Sequence, residues 1–99
     1  MEKEMLVVVK FKDNMFNKFI NFVNSNEGLE ERRKFATVEK SISGSASDKR
    51  YAFFKMFIHD EEALHGFLRG NKITKPIMDE TLESYTVYNL EIAKHFGFI

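Results

Sequence analysis

Residues 50–60 read Arg-Tyr-Ala-Phe-Phe-Lys-Met-Phe-Ile-His-Asp. This aromatic-rich run stands between a Gly/Ser/Asp turn and a helix start, and it alternates, so it predicts a central β-strand. One row is Ala52, Phe54, Met56 and Ile58; the other is Tyr51, Phe53, Lys55, Phe57 and His59. A strand buried on one side only carries a polar second row. Here the second row is largely apolar too, so a sheet with two covered faces is expected. Helices are expected on the first face and a second subunit on the other.

The 99 residues fit one domain, residues 1–99. A chain of this size buries a smaller share of its surface than a longer one, which favours hiding an extra apolar face in a homodimer. Fifteen basic and fifteen acidic side chains cancel, with no basic block, so no nucleic acid is expected as a partner. The absence of cysteine excludes a disulfide framework, thiolate metal ligands and a cysteine nucleophile. The apolar run Met5 to Val9 is stopped by Lys10, too early for a leader or a membrane span. A soluble, cytoplasmic protein without membrane attachment is therefore the expectation. Eleven phenylalanines and five methionines without tryptophan predict an interior that adapts to a guest.

Going outward from the central strand, Met5 to Phe11 predicts a first strand with Met5, Val7, Val9 and Phe11 on one row and Leu6, Val8 and Lys10 on the other. Asp13 or Asn14 is placed to cap a helix carrying Phe16, Phe19, Ile20 and Val23. Asn24-Ser25-Asn26 breaks it, and a charged helical piece follows from Glu27 to Phe35, with Leu29 and Phe35 inward. Thr37 to Ser43 predicts an edge strand through Val38 and Ile42, joined to the central strand by a hairpin turn over Gly44 to Lys49. Asp60 caps the next helix, with Glu61 and Glu62 in its first turn and Gly70 at its end. Thr74-Lys75-Pro76 opens a short helix, since proline suits a first turn. Glu83 to Ile92 predicts the last strand. Its Tyr85, Asn89 and Glu91 are assigned to the same open face as Lys10, Lys55 and His59. Phe96, Phe98 and Ile99 load the tail with apolar groups that are expected to dock in a groove of a partner subunit.

The order β-α-β-β-α-β, with right-handed crossovers, predicts an α+β fold of ferredoxin-like type. Its sheet is four-stranded and antiparallel, ordered 4-1-3-2, with the helices on one face. The first strand, the broken helix at Asn24 to Gly28, the glycine-serine hairpin and Arg50 to Leu64 together resemble the dimeric α+β barrel superfamily. Its members include antibiotic-biosynthesis monooxygenase-like domains, stress-responsive barrel proteins and many uncharacterised small proteins. The resemblance implies two sheets facing each other across a two-fold axis around a space that often holds an apolar ligand or substrate. The haem-degrading branch uses a tryptophan with an asparagine and a histidine, and this chain has no tryptophan.

His59, Glu62 and His65 are the one close group of metal-ligand types, but Glu62 reads equally as a dipole partner and His65 as a surface residue, and no metal or other cofactor is expected. Lys55 lies between Phe53 and Phe57, so its ammonium needs an anion, either a ligand carboxylate or Glu91. The functional expectation is a small-molecule binding protein of unknown pathway. Its homodimer would enclose an elongated, fatty-acyl-like ligand against Phe53, Lys55, Phe57, His59 and Tyr85. The alternatives are a cofactor-independent monooxygenase- or isomerase-like enzyme in the same cavity, with His59 as general base, or a purely structural dimer.

Overall fold

The computed structural model describes residues 2–91. Four strands form one antiparallel sheet: β1 (Lys3–Phe11), β2 (Ile42–Ser45), β3 (Tyr51–Ile58) and β4 (Leu82–Asn89). Their spatial order is β2-β3-β1-β4, which counted from the β4 edge is 4-1-3-2. The helices among the described residues are α1 (Phe16–Val23), α2 (Asn26–Arg33), α3 (Glu61–Arg69) and α4 (Lys75–Thr81). The apolar tail, with Phe96, Phe98 and Ile99, lies outside the described residues.

The pure apolar rows of the two central strands decide which sheet face is covered. Met5, Val7, Val9 and Phe11 of β1 are almost fully buried, as are Ala52, Met56 and Ile58 of β3. They pack with Phe19 and Val23 of α1, Leu64, Phe67 and Leu68 of α3, and Met78 of α4 in one cluster. Phe11 meets Phe19 edge-on at 5.2 Å between ring centres, and Phe35 meets Phe67 at the same separation. Such tilted aromatic pairs add to the stabilisation from burial alone.

The helix boundaries follow local chemistry, with one exception. Ser25 Oγ accepts from the Gly28 N–H and caps α2, and Asp60 Oδ1 accepts from the Ala63 N–H and caps α3. Gly70, at φ 100°, ends α3 in a conformation that a side chain resists. At α1 the expected cap is absent: the cap position is Met15, which makes no side-chain cap hydrogen bond. Asp13 instead pairs with Arg50 at 2.8 Å, and Asn14 turns the chain with φ 61°. The expected edge strand also shifts. Residues Val38–Lys40 form a 3-10 turn, and β2 starts at Ile42 and takes in Gly44 and Ser45, which the sequence had placed in the hairpin turn. Between Asn24 and Gly28 the chain packs so closely that a Cβ on Gly28 would lie 2.0 Å from the Phe22 carbonyl oxygen.

Candidate functional site

Every outward-facing side chain of β1 lies opposite one of β3. Leu6 pairs with Lys55, Val8 with Phe53, Lys10 with Tyr51 and Glu4 with Phe57. Side chains directly opposite in an antiparallel ladder share a face, so these eight residues form one surface, away from the helices. β2 adds Ile42 and Gly44, opposite Lys55 and Phe53, while β4 adds Ser84, Thr86 and Tyr88, opposite Lys10, Val8 and Leu6. The surface stays open to solvent: Ile42 is 57 % exposed, Tyr88 49 %, Tyr51 43 % and Phe53 41 %. Monomeric proteins rarely expose this many large apolar groups together, which makes this face the candidate site.

Phe53 lies across Gly44, where a Cβ would stand 2.5 Å from the ring. The glycine thus lets the ring lie down on the neighbouring strand instead of standing in solvent. Beside it, a shallow groove runs along Leu6, Val8, Tyr51 and Phe53 to Ser45 and Ala46.

Charged groups sit at the two ends of the patch. At one end Glu4 Oε1 is 2.5 Å from Lys55 Nζ, which also lies 5.9 Å from the centre of the Phe57 ring. Lys40 approaches the same ring at 5.2 Å and pairs with Glu2 at 3.1 Å. Hydrogen bonding from the Thr37 hydroxyl, and then from Lys40, holds the Glu2 carboxyl below its usual range. At the other end Lys10 Nζ is 3.0 Å from Glu83 and 5.9 Å from the Tyr51 ring centre, and the Glu83 hydrogen bond raises its pKa.

The residues expected at the site divide accordingly. Phe53, Lys55 and Phe57 come together on the open face. His59 stands at its margin, exposed, its backbone N–H donating to the Phe35 carbonyl at 2.8 Å. Tyr85 is a correction: it pairs with Val9 and packs against the core on the helix side. Asn89 pairs with the inward Met5, so it too belongs to the helix-side row. The cause is the pairing of β4 on β1, which seats Tyr85 beside the inward Val9 and Tyr88 beside the outward Leu6, together with two β4 rows of similar apolarity. Tyr88 is the open-face aromatic that sequence reasoning passed over. Its signal was the row Thr86, Tyr88, which simple alternation assigned to the other side.

Lys55 finds its anion in Glu4, not in Glu91. His65 pairs loosely with Glu61 at 3.6 Å, and Glu61 also binds Lys3 at 3.1 Å. Among the described residues no group of three or more histidine, cysteine or acidic side chains is placed to hold a metal ion, and no helix is long and apolar enough to cross a membrane.

On the covered face a cavity of about 30 Å³ lies between the sheet and α1 and α3. Arg32 is the one charged residue of its lining. Its guanidinium donates to the Val23 carbonyl at 2.9 Å, at the end of α1, and burial lowers its pKa. It closes a helix terminus and covers the core with its stem.

No family model matches the chain, and no curated protein matches it. Among solved structures the chain is similar to protein SO0527 from Shewanella oneidensis, with a TM-score of 0.55 and 17 % identity over 91 % of each chain. At that identity the likeness concerns the fold alone: an α+β chain with a four-stranded antiparallel sheet and helices.

Proposed function

We propose that the open sheet face is covered by a second copy of the chain, and that an elongated apolar molecule lies between the two sheets. Its polar end rests beside Lys55 or His59. The observation that carries this reading is the run of apolar groups from Ile42 across Phe53 and Val8 to Tyr88 on one side of the sheet. Burial at about 25 cal/mol per Å² makes leaving such a surface wet expensive. The resemblance to the dimeric α+β barrel superfamily supports the same assembly. Phenylalanine walls suit an alkyl or aromatic guest, and Lys55 can exchange Glu4 for a ligand carboxylate at little cost, because both side chains are already partly hydrated.

Native mass spectrometry of the protein purified from cells, followed by organic extraction, tests the reading. A dimer that releases an apolar small molecule is the expected result. An empty dimer leaves a structural role, and a monomer at micromolar concentration removes the assembly. Turnover of a quinol or lactone by the wild type, lost in His59→Ala, assigns the cavity to catalysis instead.

A further inference from the structure

We propose that the groove between α1 and the β2–β3 hairpin, on the helix side of the sheet, binds a small carboxylic acid with an aromatic or branched apolar body, its carboxylate held by Lys49 and Ser45. The groove lies on the other side of the sheet from the open face, so it stands whether or not a second copy covers that face.

The space exists because of what β2 lacks. Ser43 lies opposite Phe54 and Ser45 opposite Ala52, so the helix-side row of this edge strand carries hydroxyls and nothing large enough to meet α1. Ser43, Gly44 and Ser45 form one wall, Phe16 and Ile20 of α1 the other, and Ala52 and Phe54 the floor of a groove of about 210 Å³. That is below the usual range for drug-sized ligands and suits a single ring or a short branched chain. The rings are braced by the core: Phe16 packs edge-on against Phe11 at 5.5 Å, and Phe54 tilts against Phe19 at 6.1 Å. Phe54 also lines the core cavity of about 30 Å³, so its ring has room to lean inward and deepen the groove around a guest.

A cation stands at one end. Lys49 Nζ donates to Ser45 Oγ at 3.2 Å and lies 5.2 Å from the centre of the Phe16 ring. Among the described residues no carboxylate pairs with this ammonium, and the charges beside it are engaged elsewhere: Arg50 pairs with Asp13 at 2.8 Å, and Asp48 Oδ1 accepts from the Arg50 N–H at 3.0 Å. Lys49 also has a left-handed backbone, φ 63°, with its N–H donating to the Ala46 carbonyl at 3.0 Å. Glycine would take that conformation freely, so the turn carries a lysine side chain at a conformational cost. Ser45 accepts from the lysine and keeps its own hydroxyl proton to donate. Ammonium and hydroxyl thus offer a carboxylate two donors side by side, one of them charged, while Phe16, Ile20 and Phe54 receive the apolar body.

The experiment titrates isotopically labelled full-length protein with phenylpropanoate and, separately, with the uncharged phenylpropanol. Nuclear Overhauser contacts from the probe's phenyl protons are expected at the Ile20 methyl groups and not at those of Leu6 and Val8, which belong to the open face. The acid is expected to bind about fivefold more tightly than the alcohol, the gain from one partly exposed charge pair. Lys49→Met should erase that preference with the thermal midpoint unchanged. Lys49→Gly, which relieves the backbone, should erase it as well and keeps the test decisive if the methionine variant fails to fold. No contact at Ile20 with either probe, or contacts at Leu6 and Val8 instead, overturns the site. Equal binding of acid and alcohol, or a preference that survives in both lysine variants, overturns the assignment of the carboxylate to Lys49.

Discussion

Lys55 Nζ reaches diagonally across the β1–β3 ladder to Glu4 Oε1, 2.5 Å away, rather than to the residue directly opposite, Leu6. Residues one step off the direct pair lie within reach of long side chains, and this diagonal neutralises the lysine without a ligand. With side chains 36 % and 29 % exposed, the pair contributes at most about 1 kcal/mol. Lys55→Met is therefore expected to move the urea midpoint little in either direction. A loss of co-purifying ligand at unchanged stability would make Lys55 an anchor. Undiminished ligand would leave it only the partner of Glu4.

Phe53→Glu separates assembly from folding. The ring is 41 % exposed in the single chain and rests on Gly44, outside the core. The variant is expected to keep its circular dichroism spectrum while dimer affinity falls by at least about thirtyfold, the loss typical when a central aromatic anchor is removed. Sedimentation velocity across a concentration series measures it, and an unchanged dimer would place the interface elsewhere.

Two glycines give opposite expectations for the same substitution. At Gly28 a Cβ would press on the Phe22 carbonyl and the Val23 Cα, which are backbone and cannot step aside. Gly28→Ala is thus expected to cost about 3 kcal/mol by overpacking. Gly66 lies inside α3 with nothing within 4 Å of the added atom, and Gly66→Ala is expected to gain about 0.5–1 kcal/mol from helix propensity. Chemical denaturation of both variants checks the pair of signs together.

Acid should loosen the protein in a definite window. Glu2, Glu39 and Glu61 all have carboxyl groups held below the ordinary value of 4.5, by the Thr37 hydroxyl, Arg33 and Lys3 respectively. A depressed carboxyl contributes stability that is complete above its unfolded value and is lost as pH falls through its folded one. Stability should be level from neutrality to about pH 5 and decline below 4.5, modestly, because all three groups are exposed. Lys10 acts in the other sense: its pKa is raised above 10.5 by Glu83, so its contribution is present below that value and disappears as pH climbs past it. Thermal midpoints in a series of buffers test both limbs, and a midpoint that rises on acidification below 4.5 would contradict the assignment.

Much of the fold was legible from local pattern. The rows of β1 and β3, the Asp60 cap, the Gly70 stop and the proline-opened α4 each follow from chemistry acting within a few residues, and the structure has them where that chemistry puts them. The open face was equally legible in Phe53, Lys55 and Phe57, because period-two alternation needs no knowledge of neighbours. What tertiary structure alone decided is everything that depends on register. The pairing of β4 on β1 sets which β4 row joins which face, turning Tyr85 inward beside Val9 and Tyr88 outward beside Leu6. The diagonal reach of Lys55 to Glu4 and the pairing of Asp13 with Arg50 likewise join positions far apart in the chain. Alternation fixes a side chain's face relative to its own strand, but which of two similar rows meets the core is set by the cross-strand partner, which leaves no mark on either strand's composition.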